Sequence, residues 1–157
     1  MTKRLVLTVG NSMMGDDAAG PLLAKLMAGS PIDGWDVLDG GSVPENCLHQ
    51  IREMAPEQIV VVDAADMDLE PGAIRLISDE NLDDPFLMTT HTLPLSYLIE
   101  SLRETTSNVE LIGIQPDVVS FGYPISLDVK NAVEEVYENL KQAEPVWKIL
   151  ENLDSGS

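Results

Sequence analysis

The run Gln-Ile-Val-Val-Val-Asp-Ala at residues 58–64 constrains the fold more than any other stretch of the chain. A strand with one wet face alternates apolar and polar residues, and this run does not alternate. It predicts a central strand covered on both faces, which in turn requires helices above and below the sheet. The flanking sequence supplies them. Residues 4–9 form a second compact apolar run closed by Gly10-Asn11, a buried strand followed by a turn. Residues 17–29 place Leu22, Leu23, Leu26 and Met27 at helical spacing, with Gly29 as a C-terminal stop. Residues 35–38 read as a short strand ending in Asp39-Gly40-Gly41, and residues 44–54 as a helix. Pro44 and Glu45 suit the first turn of that helix, where a missing N–H costs little and a negative charge meets the dipole.

Only about eight residues separate the central strand from the next one, at residues 73–77. A parallel crossover needs about a dozen or more, so this fourth strand is expected to be antiparallel and at an edge. A helix over 94–104, a strand over 109–114 and a final helix over 127–141 complete the pattern. The fold class is α/β: a three-layer sandwich built on a mostly parallel, twisted five-stranded sheet, with one antiparallel edge strand and helices on both faces. At 157 residues the chain is expected to be one domain spanning 1–157, with a tail that frays from about residue 151.

Composition narrows the function. Against 27 acidic residues stand 9 basic ones, a formal net charge of −18. Such a surface repels phosphate backbones, which argues against nucleic acid as a partner. It serves either solubility alone or the attraction of a basic partner. The apolar runs are strand-sized, and the N-terminus lacks a signal-peptide pattern, so the expectation is a cytoplasmic protein with no membrane association. No long exposed apolar stripe is evident, which favours a monomer. The single cysteine, Cys47, excludes an internal disulfide and a Cys-rich metal site; its place in an apolar helical pattern makes it a buried structural thiol.

Three residues far apart in the chain, Asp17, Asp63 and His91, each fall where a strand hands over to a loop. Open α/β sheets bind ligands outside the carboxyl ends of their strands. Two carboxylates and an imidazole on one rim form a hard oxygen and nitrogen donor set suited to a divalent metal. The loop at 10–17 has two glycines at the spacing of a Walker motif, but Asp16 and Asp17 stand where Lys and Ser or Thr are needed, so a polyphosphate would be repelled. Asp16 reads as a cap of the first helix. Asp63 ends an apolar strand, where a charge must be solvated, hydrogen-bonded or bound to a cation. Asp66 and Asp68 lack EF-hand spacing and read as a solvated turn. His49 reads as a surface residue. Asp39 either contacts a ligand or makes an Asx-turn, and Gly40 and Gly41 allow close or mobile backbone beside it. Ser12 lacks a nucleophile-elbow context.

The blocks at 9–17 (Val-Gly-Asn-Ser-Met-Met-Gly-Asp-Asp), 38–41 (Leu-Asp-Gly-Gly), 61–64 (Val-Val-Asp-Ala), 89–95 (Thr-Thr-His-Thr-Leu-Pro-Leu) and 113–117 (Gly-Ile-Gln-Pro-Asp) together resemble the nickel-iron hydrogenase maturation endopeptidases. The resemblance runs over roughly residues 4–141 and is strongest to the branch that matures the formate-hydrogenlyase hydrogenase large subunit; Ala18, where many members have Gly, is a mild departure. It implies an α/β sandwich and an endopeptidase that removes the C-terminal extension of the hydrogenase large-subunit precursor after nickel insertion. It implies metal-contacting roles for Asp17, Asp63 and His91, which would also be the catalytic set, and a substrate-binding role for Asp39, Gly40 and Gly41. The cofactor implied is nickel, supplied by the substrate, and the route is either aspartic-type or metal-assisted. Two competing readings use the same residues: a non-catalytic nickel-sensing assembly factor for the same precursor, and a metallohydrolase of small molecules.

Overall fold

The strand Gln58–Ala64 (β3) lies in the middle of a five-stranded sheet, whose order is β2 (Trp35–Asp39), β1 (Arg4–Thr8), β3, β5 (Val109–Ile114), β4 (Ile74–Ile77). The computed structural model describes residues 3–82 and 94–151. Strands β1 (Arg4–Thr8), β2 (Trp35–Asp39), β3 and β5 (Val109–Ile114) run parallel, with Thr8 opposite both Asp39 and Val62, and Asp63 opposite Gly113. The expected exception is β4 (Ile74–Ile77), which pairs antiparallel with β5 at the edge. The short link from β3 leaves no room for a crossover, so the chain returns in the opposite direction.

The unbroken apolar character of β3 is explained by its two faces. Ile59 and Val61 join Leu5, Leu7, Leu111 and the apolar side of α4 (Leu95–Arg103), where Leu98, Ile99 and Leu102 are buried; Ile51 of α2 (Leu48–Met54) packs there too. Val60 and Val62 face the opposite way, against Leu23 and Met27 of α1 (Ala19–Gly29) and Val129, Val133 and Val136 of α5 (Leu127–Leu140). Both faces of the sheet are therefore dry, and every strand residue of β3 after Gln58 is buried.

Three details differ from the expectation. The first two helices open with 3-10 turns, Gly15–Ala18 and Pro44–Cys47, before the regular helix begins. A short helix, α3 (Asp79–Leu82), follows β4. The segment near residue 149, which carries no readable strand pattern, lies along the outer edge of β4. Leu76 N donates to Lys148 O at 2.7 Å, Leu150 N donates to Leu76 O at 2.8 Å, and Leu150 is buried in the core. An edge strand presents unpaired backbone groups to solvent and to other chains; the C-terminal segment satisfies both of those of Leu76 here. The frayed tail expected at residues 152–157 lies outside the described residues.

Candidate active site

The topology selects one crevice. From β1 the chain turns to the β2 edge, and from β3 it turns to the β4–β5 side, so the loops at the carboxyl ends of these two neighbours diverge. Divergence of this kind opens a binding site at the rim of a doubly wound sheet. The two carboxylates expected to act together both stand at this rim. Asp63 is the penultimate residue of β3 and is fully buried; Asp17 lies in the 3-10 turn after β1 and is 2% exposed. That turn packs against β3. Oδ2 of Asp17 accepts a hydrogen bond from Asn11 N at 2.8 Å, which fixes the carboxylate against the loop that precedes it. His91, the third residue of the expected set, lies outside the described residues. Among the described residues no group of three His, Cys, Asp or Glu side chains is close enough to hold a metal.

The loop after β1 is shaped by close backbone approach. Gly10 has φ of +143°, and a Cβ there would sit 2.1 Å from the carbonyl oxygen of Asp17, so only glycine fits. Gly10 N donates to Gly41 O at 2.9 Å and Gly40 N to Thr8 O at 2.7 Å, which draws the Asp39-Gly40-Gly41 turn against the end of β1. Oδ1 of Asp39 accepts from Gly41 N at 2.9 Å, which makes an Asx-turn, and stands 3.4 Å from the Thr8 hydroxyl. Gly40 thus serves close approach, since a Cβ there would lie 2.8 Å from Thr8 O, while Gly41 supplies the positive φ of +57° that the turn needs, at the same rim as Asp17.

Asp16 departs from expectation. It does not cap the first helix, neither of whose N-terminal turns has a side-chain cap. Its carboxylate is buried and accepts from Asp117 N at 2.8 Å, Ser126 N at 2.6 Å and Ser126 Oγ at 2.8 Å. Those partners are more than a hundred residues away in sequence, beyond the reach of any local capping rule. Gln115 is a second residue whose role was not read from sequence. Its Oε1 accepts from Met67 N at 2.6 Å and its amide donates to Asp66 Oδ1 at 3.1 Å. Asp66 also accepts from Asp68 N at 3.1 Å, so the Asp66–Asp68 segment is a turn, as expected, but one fastened by Gln115, the residue that follows β5. Cys47 is only half-buried, a correction to the expected buried thiol; it packs at the edge of the core, and burial, then the nearby Asp39 carboxylate, push its pKa up. His49 is on the surface, 3.1 Å from Glu53 one helical turn on.

The fold is shared with known proteins. The chain matches the HycI hydrogenase maturation protease family over residues 22–143. It is 52% identical over 137 residues to the hydrogenase 3 maturation protease of Escherichia coli K12, covering 87% of this chain and 88% of that protein. This chain belongs to the hydrogenase maturation protease family. Its structure superposes on the solution structure of the E. coli endopeptidase HycI with a TM-score of 0.88 and 47% identity, over 96% of this chain and 97% of the other. The maturation protease HycI of Thermococcus kodakarensis KOD1 is similar at a TM-score of 0.78 and 28% identity, over 89% and 90% of the two chains. The three-layer fold and the family resemblance expected from the sequence both hold, and the chain is a maturation protease, a hydrolase of peptide bonds.

Proposed function

We propose that this protease removes the C-terminal extension of a nickel-iron hydrogenase large-subunit precursor after nickel has been inserted, and that it recognises the nickel carried by that substrate. The observation that carries this reading is the burial of two carboxylates, Asp17 and Asp63, at the carboxyl ends of neighbouring strands where the loops diverge. Two carboxylates at one rim are hard oxygen donors of the kind a divalent cation takes, and a substrate-borne divalent ion is a cation that arrives only with the correct precursor. His91 would add the imidazole donor that nickel favours over purely oxygen sites.

In the cleavage step, one carboxylate takes a proton from the attacking water as its oxygen bonds to the scissile carbonyl carbon. The same carboxyl then returns that proton to the leaving amine, releasing a new C-terminal carboxylate and a short peptide. Asp17, Asp63 and His91 are the residues that would meet the substrate's nickel, which would supply polarisation of the carbonyl in a metal-assisted route or orientation of the chain in an aspartic-type one. Asp39, Gly40 and Gly41, hydrogen-bonded to the end of β1, would line the cleft for the extended substrate.

A protein substrate suits this rim better than a small molecule does. Gly122 N donates to Met13 O at 2.9 Å, so the loop after β1 and the loop before α5 lie side by side, and Met13, Phe121 and Tyr123 on them are exposed. Apolar side chains on loops beside a candidate site match a polypeptide surface. Among the described residues no helix is long and apolar enough to cross a membrane. We place the protein in the cytoplasm, as a monomer, with the precursor as its partner. The test is cleavage of nickel-loaded precursor by the wild-type chain and by Asp63→Asn. The wild type is expected to release the C-terminal peptide and Asp63→Asn to leave the precursor intact; undiminished cleavage by Asp63→Asn contradicts the assignment.

A further inference from the structure

We propose that Asp16 is a positioning residue for the candidate active site: its carboxylate locks the loop before α5 onto the loop after β1, and so fixes where Asp17 stands. The inference rests on the reading of Asp17 as a site residue.

Three observations converge on it. The Asp16 side chain is 1% exposed, and both of its oxygens are engaged: Oδ1 by Ser126 N, Oδ2 by Asp117 N and by the Ser126 hydroxyl. Ser126 is the N-cap of α5, so the same hydroxyl joins the carboxylate to the start of a 14-residue helix whose positive end favours a negative charge. The backbone repeats the join, because Asp16 N donates to Val118 O at 2.8 Å. Gly15, at φ +59°, brings its Cα so near that a Cβ would lie 2.4 Å from the same oxygen. Asp17 is the next residue, and its N–H donates to Met14 O while its carboxylate receives Asn11 N. Any shift of Asp16 therefore moves Asp17 and the Asn11 hydrogen bond with it.

The geometry demands a carboxylate. Three donors meet two acceptor oxygens, and an amide has one oxygen and an NH2 group that accepts nothing. In either orientation, Asn at this position turns its NH2 towards an N–H donor. A buried donor left without its acceptor is driven to move, and the loops are then free to part.

The experiment compares Asp16→Asn with Val136→Ala, a truncation in the core face of α5 remote from the rim, at matched loss of Tm. Backbone amide hydrogen exchange reports the Asn11 N–H that binds Asp17, and nickel-loaded precursor reports kcat and KM. In Asp16→Asn the Asn11 amide is expected to exchange at least about tenfold faster relative to the β3 amides, with kcat down roughly 10- to 100-fold and KM little changed. Val136→Ala should move neither ratio. Should Asp16→Asn fail to fold, Ser126→Ala, which removes one of the three donors, is expected to speed Asn11 exchange to a smaller degree. Unchanged Asn11 exchange overturns the proposal, as does an equal loss of kcat in Asp16→Asn and Val136→Ala. A wild-type chain that does not cut the precursor defeats the functional reading, while the exchange data still decide the coupling of Asp16 to Asp17.

Discussion

Asp39 shows how a single side chain at the rim combines structure with reactivity. Its Oδ1 closes the turn through Gly41 N, and the carboxylate is the second cause, after burial, of the raised Cys47 pKa. A raised thiol pKa means less thiolate at a given pH, and thiolate is the reacting species. Cys47 is therefore expected to alkylate with iodoacetamide at pH 8 more slowly than a small model thiol, and faster in Asp39→Asn than in the wild type. Equal rates in the two chains would remove Asp39 as a cause. Asp39→Ala, by freeing Gly41 N at the surface, should cost about 0.5–1.5 kcal/mol in urea denaturation. At this scale the sequence was legible where a residue's role is local. The Asx-turn of Asp39, the surface place of His49 and the rim positions of Asp17 and Asp63 all follow from nearby residues. Asp16 and Gln115 were not legible, because their partners lie 101 and 110, or 48 and 49, residues away in sequence.

The elements divide in the same manner. Strand β3 and strand β5 have the bounds read from sequence, since the continuous β-branched run of β3 has few alternatives in a covered sheet and the mostly apolar run of β5 is closed by Gln115-Pro116. The antiparallel turn of β4 followed from the length of one link. What escaped was the cover on the β4 edge, because residues 148–150 bind through backbone atoms that any sequence carries. Leu150 is the side chain that anchors this cover in the core. Leu150→Ala is expected to cost about 2–5 kcal/mol, read from urea denaturation, with faster hydrogen exchange at Leu76. Loss of stability without faster exchange at Leu76 would show that Leu150 acts by packing alone. A second element contact should matter little. Arg103 on α4 makes hydrogen bonds of 2.8 and 2.9 Å to Asp79 on α3 and holds its carboxyl below the usual range. The pair is exposed, so Asp79→Asn should change stability by no more than about 1 kcal/mol. A depressed carboxyl pKa stabilises the fold above the ordinary carboxylate value and ceases to do so as pH falls through the folded value. The effect of Asp79→Asn should accordingly be visible at neutral pH and vanish in acid.

Across the whole molecule the dominant physical fact is a formal charge of −18. Mutual repulsion of so many carboxylates opposes the compact state and is screened by salt. Tm should rise between about 20 mM and about 0.3 M NaCl; a flat or falling Tm would show that the acidic groups are already compensated locally. Two of those acidic residues, Asp17 and Asp63, are buried at the rim of the sheet rather than on its surface. The measurement that bears most directly on the role of this chain is intact-mass spectrometry of a hydrogenase large-subunit precursor incubated with it, nickel-loaded in one sample and metal-free in the other. Loss of one discrete C-terminal peptide from the loaded precursor alone is the expected result. Equal cutting of both samples would remove nickel from substrate recognition, and an intact loaded precursor would contradict C-terminal processing by this protease.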